Sequence, residues 1–555
     1  MKHILIGVSW PYSNGPLHIG HLAGQYIVCD VFSRFQRMKG NKVLMVSGSD
    51  MHGTPITVKA EEKGVSEEEF VKEHHENFLK MFAALDIQFD LFTTTHTENH
   101  KEVTQNFVRV LEENGFLLRQ ESEQYYDEKL QRFLVDRYVE GKCPHCGYIP
   151  ARGDQCDNCG HVLTPTELID PKSKLSGTTP VLRKATHLYF DLPKLQSQLE
   201  TYIESHPEWR KNTYEFSKAW LKEGMQPRAI TRDMHWGITA PIEGFTDKVV
   251  YVWFEAVIGY LSAAIEWAKN TGESWEDFWK GADSEHYYFI GKDNIPFHSL
   301  FWPAQLMAYN EKYKSSVLTQ PLPIETRNDP LKLPYNVVAN MYLNIRGEKM
   351  SKSKGTFITA QEMVEQFSPE LVRYFFIRYA PETKDLDFEW EDLKTLNNNE
   401  LVATFGNFVY RVLSYYQKRF GTDYAVIEDK QNEIWVEISK AFNDIDSALS
   451  NTQFTKGITA VLALAQYGNQ RLTQIEPWKI KDDAVVKPFM SEMLTIVIAL
   501  GVLMYPFIPS IGRNIIKQVG FSEGEIKDIT GKWQFPETKE TRRILQPEIL
   551  IRKID

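Results

Sequence analysis

Pro11-Tyr12-Ser13-Asn14-Gly15-Pro16-Leu17-His18-Ile19-Gly20-His21-Leu22 is the stretch on which the fold turns. Ahead of it lies a short apolar run, His3-Ile4-Leu5-Ile6-Gly7-Val8-Ser9, with the character of a buried strand. Behind it Leu22, Tyr26, Val28, Val31, Phe32 and Phe35 recur at a helical period. A second strand, Val43-Leu44-Met45-Val46, follows and ends at Ser47-Gly48-Ser49-Asp50. The pattern predicts a βαβ unit whose first turn is polar and glycine-bearing. In such a unit the helix start is expected to offer unpaired backbone N–H groups and a positive dipole end to phosphate. Ligands gather at the carboxyl ends of the strands. His18 and His21 add donors at that spot, and Gly20 between them lets a flat ring approach the backbone. On its own the tetrapeptide reads equally well as a helix start with a polar turn.

Far downstream stands Met341-Tyr342-Leu343-Asn344-Ile345-Arg346-Gly347-Glu348-Lys349-Met350-Ser351-Lys352-Ser353-Lys354-Gly355. An apolar strand runs into a loop of lysines and serines closed by glycine. Loops of this kind are common as solvated turns or non-specific phosphate patches. The pairing of an N-terminal His-Ile-Gly-His with a downstream Lys-Met-Ser-Lys-Ser resembles the class I aminoacyl-tRNA synthetases, and the methionyl family among them. That resemblance implies ATP handling by His18, Gly20, His21, Lys349, Ser351 and Lys352, with Mg²⁺ sharing the phosphate charge and Lys352 mattering most for the rate. It implies no side-chain nucleophile.

At 555 residues the chain is too long for one core and predicts about three to five domains of roughly 100–200 residues. With 42% apolar residues and 13% aromatics it can bury sizeable cores. A net charge of −11 excludes a generally basic nucleic-acid coat, while leaving room for RNA recognition by local basic surfaces, stacking and shape. No basic n-region precedes an apolar h-region at the start. The longest apolar stretch, 494–508, is broken by Gly501 and Pro506 and reads as a buried core helix, shorter than the ~20 residues of a membrane span. The expected location is cytoplasmic, with no membrane partner.

Four of the five cysteines form one cluster, Cys143-Pro144-His145-Cys146 and Cys156-Asp157-Asn158-Cys159, with nine residues between the pairs. Two Cys-x-x-Cys turns are the usual frame of a closed tetrahedral Cys₄ zinc site, so one structural zinc per chain is expected on Cys143, Cys146, Cys156 and Cys159. Gly147 and Gly160 suit the tight turns, and His145 and His161 are alternative ligands. Contact between the knuckle and nucleic acid is a second reading of it. Pinning a small insert over the active site is the first.

The expected fold is an α/β Rossmann-type nucleotide-binding catalytic domain with a zinc-knuckle insert, then a small linker domain and a C-terminal α-helical bundle. Its divisions are residues 1–117 and 236–324 for the two halves of the nucleotide fold, 118–235 for the insert, 325–390 for the linker and 391–555 for the bundle. Helical patterning is read over 396–420, 433–449, 455–472 and 486–505. By resemblance Asp50, in Asp50-Met51-His52-Gly53, meets the ammonium group of methionine; capping the next turn is its ordinary alternative. Tyr12, Trp253, Ala256, Tyr260 and His298 are implied to line the side-chain pocket, where a thioether demands shape and sulfur–aromatic contacts. Aromatic residues at helical spacing are otherwise more often core. Val257 and Asn294 depart from the residues common in the family.

Asn407 and Arg411, four apart on one helix face, together with Trp478, match the family's anticodon positions. Without the resemblance Arg411 reads as a surface ion pair and Trp478 as core. The insert is too short for the hydrolytic editing domain of relatives that handle branched aliphatic amino acids, which favours methionine. The class's cysteine enzyme, with zinc ligands in its substrate pocket, does not match a local Cys₄ cluster. Because the chain stops at Asp555, before the dimerising domain of some relatives, a monomer is expected. The resemblance therefore implies methionine activation with ATP and transfer to tRNA(Met). The competing readings are a nucleotidyltransferase acting on a small metabolite and a non-catalytic RNA-binding protein.

Overall fold

The computed structural model describes the chain except residues 136–137, 154–155, 157, 159–162, 314–320, 348–356, 428, 538–540 and 555. Five strands form the central sheet: β1 His3–Val8, β2 Lys42–Ser49, β3 Leu91–Thr94, β4 Ser284–Gly291 and β5 Asn336–Asn340. All pairings are parallel, in the order β5-β4-β1-β2-β3. β1 is central, with His3 opposite both Ser284 and Lys42. Near-continuous apolar runs fit this position, since a parallel strand is covered on both faces. The strand order reverses between β1 and β4, and their carboxyl ends open into the crevice where ligands bind in such sheets. The doubly wound nucleotide fold expected from the sequence is therefore present. β5 lies beyond residue 324, inside the stretch assigned to the linker, so the sheet takes in 336–340.

The helix after β1 runs as Ile19–His21, a wider π turn at Leu22–Tyr26, and Ile27–Met38. The widening has a visible cause. Asn340, at the end of β5, donates its side-chain amide to the carbonyl of Ala23 at 3.0 Å. A side chain inserted into the ladder shifts the helix to longer-range pairing there.

The insert leaves β3 through the helix Glu98–Glu113 and rises on a long antiparallel pair, Leu117–Asp127 with Val181–Phe190. At its tip is a small separate core of Leu134, Val135, Tyr138, Val139, Ala151 and their neighbours, which contains Cys143 and Cys156 and touches Val58 of the helix Thr54–Lys63.

Beyond residue 406 the described chain is mostly helical: Asn407–Phe420, Glu433–Ser450, Phe454–Ile475, Asp483–Met504, Pro509–Gln518 and Glu523–Thr530. Asp483–Met504 is long and apolar enough to cross a membrane by composition, and it is the buried axis of this bundle. A buried arginine helps join bundle to catalytic body. Arg373, on the helix Pro369–Arg378, is buried and donates to Asp30 Oδ2 (2.7 Å), the Leu85 carbonyl (3.0 Å) and the Phe507 carbonyl (2.9 Å). Arg34 meets the same Asp30 oxygen at 2.8 Å. A buried charge set this fully hydrogen-bonded is costly to break from one side.

Candidate active site

His18 caps the helix start, its Nδ1 accepting from the Gly20 N–H at 3.2 Å; the His21 Nδ1 in turn accepts from the His18 N–H at 3.2 Å. A ring nitrogen that accepts carries no proton, so each neutral imidazole holds its proton on Nε2. The two rings stack at 3.8 Å between centroids. Burial pushes His21 down to about 4, so at neutral pH it offers a hydrogen bond rather than a charge. One expectation needs correction here. The Ile19 N–H donates to the Ile358 carbonyl (3.1 Å) and the His21 N–H to the His18 carbonyl (2.9 Å), while Gly20 serves His18. The backbone donors at this helix start are already used, and each imidazole carries its own donor on Nε2.

The chain that follows the lysine-rich segment packs against this same spot. Phe357 packs edge-on to the His18 ring at 5.3 Å, Thr359 pairs with His18 in an antiparallel bridge, and the Ala360 N–H donates to the Leu17 carbonyl at 2.9 Å. At the other root, the Gly347 N–H donates to Asp387 at 2.6 Å. Lys349, Ser351 and Lys352 themselves lie outside the described residues.

Asp50, at the end of β2, is buried beside the loop after β1: its N–H donates to the Pro11 carbonyl and its carbonyl accepts from Ser13, both at 2.9 Å. Burial, and then the charge on Glu255, raise its carboxyl well above the usual range. The Tyr12 hydroxyl donates to the His52 carbonyl at 2.7 Å. Gly53, at φ +96°, leaves room for that hydroxyl, which a Cβ would meet at 2.3 Å.

On the far wall, the Tyr260 hydroxyl and His298 Nε2 are 2.7 Å apart, and His298 Nδ1 is 2.9 Å from the Asn294 carbonyl. The carbonyl can only accept, so Nδ1 carries the proton and Tyr260 donates to Nε2. Burial brings His298 down to about 4, consistent with a neutral ring. Asn294 thus meets His298 through its backbone, whatever its side chain. Val257 is buried in the core that also holds Phe254 and Tyr260. Trp253 is 37% exposed and meets Phe297 edge-on at 4.9 Å, and Ala256 is half-buried. Tyr260 also stands edge-on to Trp10, whose indole fills the space a Cβ at Gly48 or Gly259 would take.

In the insert, the sulfurs of Cys143, Cys146 and Cys156 all lie within 4.8 Å of one another, and Cys146 and Cys156 are 3.6 Å apart. That spacing is far beyond a disulfide bond of about 2.05 Å. It is close to the ~3.8 Å edge of a tetrahedron with zinc–sulfur bonds of about 2.3 Å. Three thiols so placed fit a zinc ion. Cys159 lies outside the described residues, as does His161.

In the bundle, Asn407 and Arg411 are exposed on one face of Asn407–Phe420. The Arg411 guanidinium stands 5.6 Å from the centroid of Trp478, which is 47% exposed, so Trp478 is not core. Tyr410, Ser414, Tyr415 and Lys418 complete a concave patch around the pair. Its turn is rigid, because Tyr415 and Arg419 both donate to the Pro477 carbonyl, at 2.8 and 2.9 Å.

Comparison with known proteins settles the family. Residues 4–413 match the family model described as tRNA synthetases class I (M), and 423–555 match the anticodon binding domain of methionyl tRNA ligase. The chain belongs to the class I methionyl-tRNA synthetases. Methionine--tRNA ligase of Roseiflexus castenholzii is 42% identical over 94% of this chain and 87% of its own length. That of Chloroflexus aurantiacus is 38% identical over 100% of this chain and 97% of its own. A solved structure, Mycobacterium tuberculosis methionyl-tRNA synthetase in complex with methionyl-adenylate, superposes with a TM-score of 0.78 at 21% identity, covering 99% of this chain and 100% of that one, which speaks to the fold.

Within this synthetase the structure adds residues that sequence reading passed over. Trp10 fills the gap between β2 and the helix Gly259–Thr271. Glu255, one position from Ala256, is a buried carboxylate between two histidines. Two glycines that clear space for one indole are the only signal for the first, and nothing in a helix segment of aromatics marked the second.

Proposed function

We propose that this synthetase joins L-methionine to ATP, releasing pyrophosphate and forming methionyl-adenylate, and then transfers the methionyl group to the terminal adenosine of tRNA(Met). The methionine carboxylate attacks the α-phosphate in line, and the pyrophosphate oxygen leaves. Such a step depends on positioning and on neutralising developing charge. The imidazole Nε2–H groups of His18 and His21 donate to phosphate, and Lys349 and Lys352, with Ser351, close over the β- and γ-phosphates. Gly20 keeps the approach to the backbone open. Mg²⁺ arrives with ATP and shares the phosphate charge.

Asp50 takes the ammonium group, while Tyr12, Trp253, Ala256, Tyr260 and His298 enclose the thioether. Because His298 accepts a hydrogen bond from the Tyr260 hydroxyl and donates one to the Asn294 carbonyl, the pair turns its polarity inward and leaves an apolar wall. Zinc, held by Cys143, Cys146, Cys156 and Cys159, ties the insert together and takes no part in the chemistry. Asn407, Arg411 and Trp478 read the anticodon by stacking and hydrogen bonds to exposed base edges.

The observation that carries this reading is the bridge between His18 and Thr359, which seats the root of the lysine loop on the histidine motif. Charging with labelled methionine tests it. A tRNA(Met) transcript should be charged and the same transcript with a substituted anticodon should not; equal charging of both would overturn the anticodon assignment.

A further inference from the structure

Glu255 lies in the short helix Val252–Ala256, and its side chain is fully buried. Each carboxylate oxygen meets one imidazole: Oε1 is 2.8 Å from His52 Nδ1, and Oε2 is 2.5 Å from His100 Nε2. Burial alone would push such a carboxyl up; the two rings outweigh that and hold it below its usual range. A carboxylate accepts only, so His52 Nδ1 and His100 Nε2 both carry protons. The far nitrogen of His52 is 3.1 Å from His96 Nδ1, and that of His100 is 2.7 Å from Ser262 Oγ. Trp236 stands edge-on to the His52 ring at 5.7 Å. The His52 ring is therefore held from three sides.

We propose that Glu255 is a positioning residue for the amino-acid substrate, acting through His52 on Asp50 and Tyr12. This rests on the assignment of Asp50 to the methionine ammonium group. The backbone of His52 carries both links: its carbonyl accepts from Tyr12, and its N–H points at Asp50 Oδ1 at 3.4 Å. The helix that bears Glu255 also bears Trp253 and Ala256. One buried carboxylate thus fixes the ammonium side and the thioether side of the methionine site to each other. The helix Glu98–Glu113 is the third wall it holds, through His100. None of these links reaches His18 or His21, so the effect belongs to methionine and not to ATP.

Methionine-dependent pyrophosphate exchange on the full chain tests this. Glu255→Gln keeps the volume but turns one acceptor into a donor facing an N–H. Measured above the pH limb of Asp50, where loss of the Glu255 charge no longer changes its ionisation, it should raise the KM for methionine about tenfold or more, the scale of losing a hydrogen bond to a buried charge, with the KM for ATP within about twofold. His52→Ala should do the same, and His52→Asn, which keeps an N–H near the place of Nδ1, should recover most of the loss. A purely structural role would raise both KM values or lower only thermal stability, and would show no rescue by asparagine. An unchanged methionine KM in Glu255→Gln, or equal effects of His52→Asn and His52→Ala, overturns the proposal. If Glu255→Gln does not fold, the His52 pair decides alone. Asp50→Asn separates the two levels: an unchanged methionine KM there overturns the ammonium assignment itself, whereas a large loss beside an unaffected Glu255→Gln overturns only the positioning role.

Discussion

Replacing Tyr260 with phenylalanine removes one hydroxyl and leaves the packing in place. The ring is buried, lies over Gly7 and stands edge-on to Tyr288 at 4.9 Å, and phenylalanine keeps those contacts. What is lost is the hydrogen bond donated to His298 Nε2 at 2.7 Å. His298 cannot turn to compensate, because its Nδ1–H is committed to the Asn294 carbonyl. A buried acceptor left without a donor costs about 1–3 kcal/mol. With the pocket empty, water can enter and take over part of the hydroxyl's role. With the thioether in place water is displaced, so the penalty falls on the bound state. The KM for methionine should therefore rise roughly 5- to 150-fold, with little change in the exchange rate at saturation or in the KM for ATP. Pyrophosphate exchange at varied methionine and fixed ATP measures this, and the double variant with His298→Ala should be no worse than His298→Ala alone. An unchanged methionine KM, or an equal rise in the KM for ATP, would refute the inward-facing hydrogen-bond chain.

Other outcomes follow from the same geometry. Asp50 is held above the usual carboxylate range by burial and by the charge on Glu255. Ammonium needs the ionised form, so the KM for methionine should fall as pH rises through this group and level off above it. Asp50→Asn should abolish that limb in the pH profile and weaken methionine by roughly a hundredfold, the scale of ~3 kcal/mol for one partner of a buried charge pair. Trp478→Ala should raise the KM for tRNA about tenfold, as loss of a base stack costs ~1–3 kcal/mol, while leaving pyrophosphate exchange unchanged. Elemental analysis should find one zinc per chain, and Cys146→Ser or chelation should lower the melting temperature, because Cys143 and Cys156 belong to the insert's small core. Zinc-free protein of unchanged melting temperature would contradict that account.

The parts legible in the sequence were those with local signals. The βαβ opening announces itself by a change of period from strand to helix around Gly15 and Pro16. The cysteine pairs carry ligand spacing, and the last three of the four expected bundle helices were placed within a few residues. β5 was not placed because Asn336–Asn340 is a five-residue strand after an irregular stretch, too short for periodicity to register. The π turn depends on Asn340, 317 positions from Ala23. Glu255 hides for the same reason: its partners lie 203 and 155 positions away. The expectation of free N–H groups at the helix start failed because His18 and Ile358 supply acceptors that helix propensity does not foresee. Trp478, which without the resemblance reads as core, is exposed, and exposure of an aromatic in a turn has no sequence signature.

The central claim is tested most directly by exchange of labelled pyrophosphate into ATP, offering methionine, leucine, isoleucine, valine and cysteine in turn to the zinc-loaded chain. The account predicts exchange with methionine alone. Exchange of equal rate with another of these amino acids, or none with methionine, would contradict it.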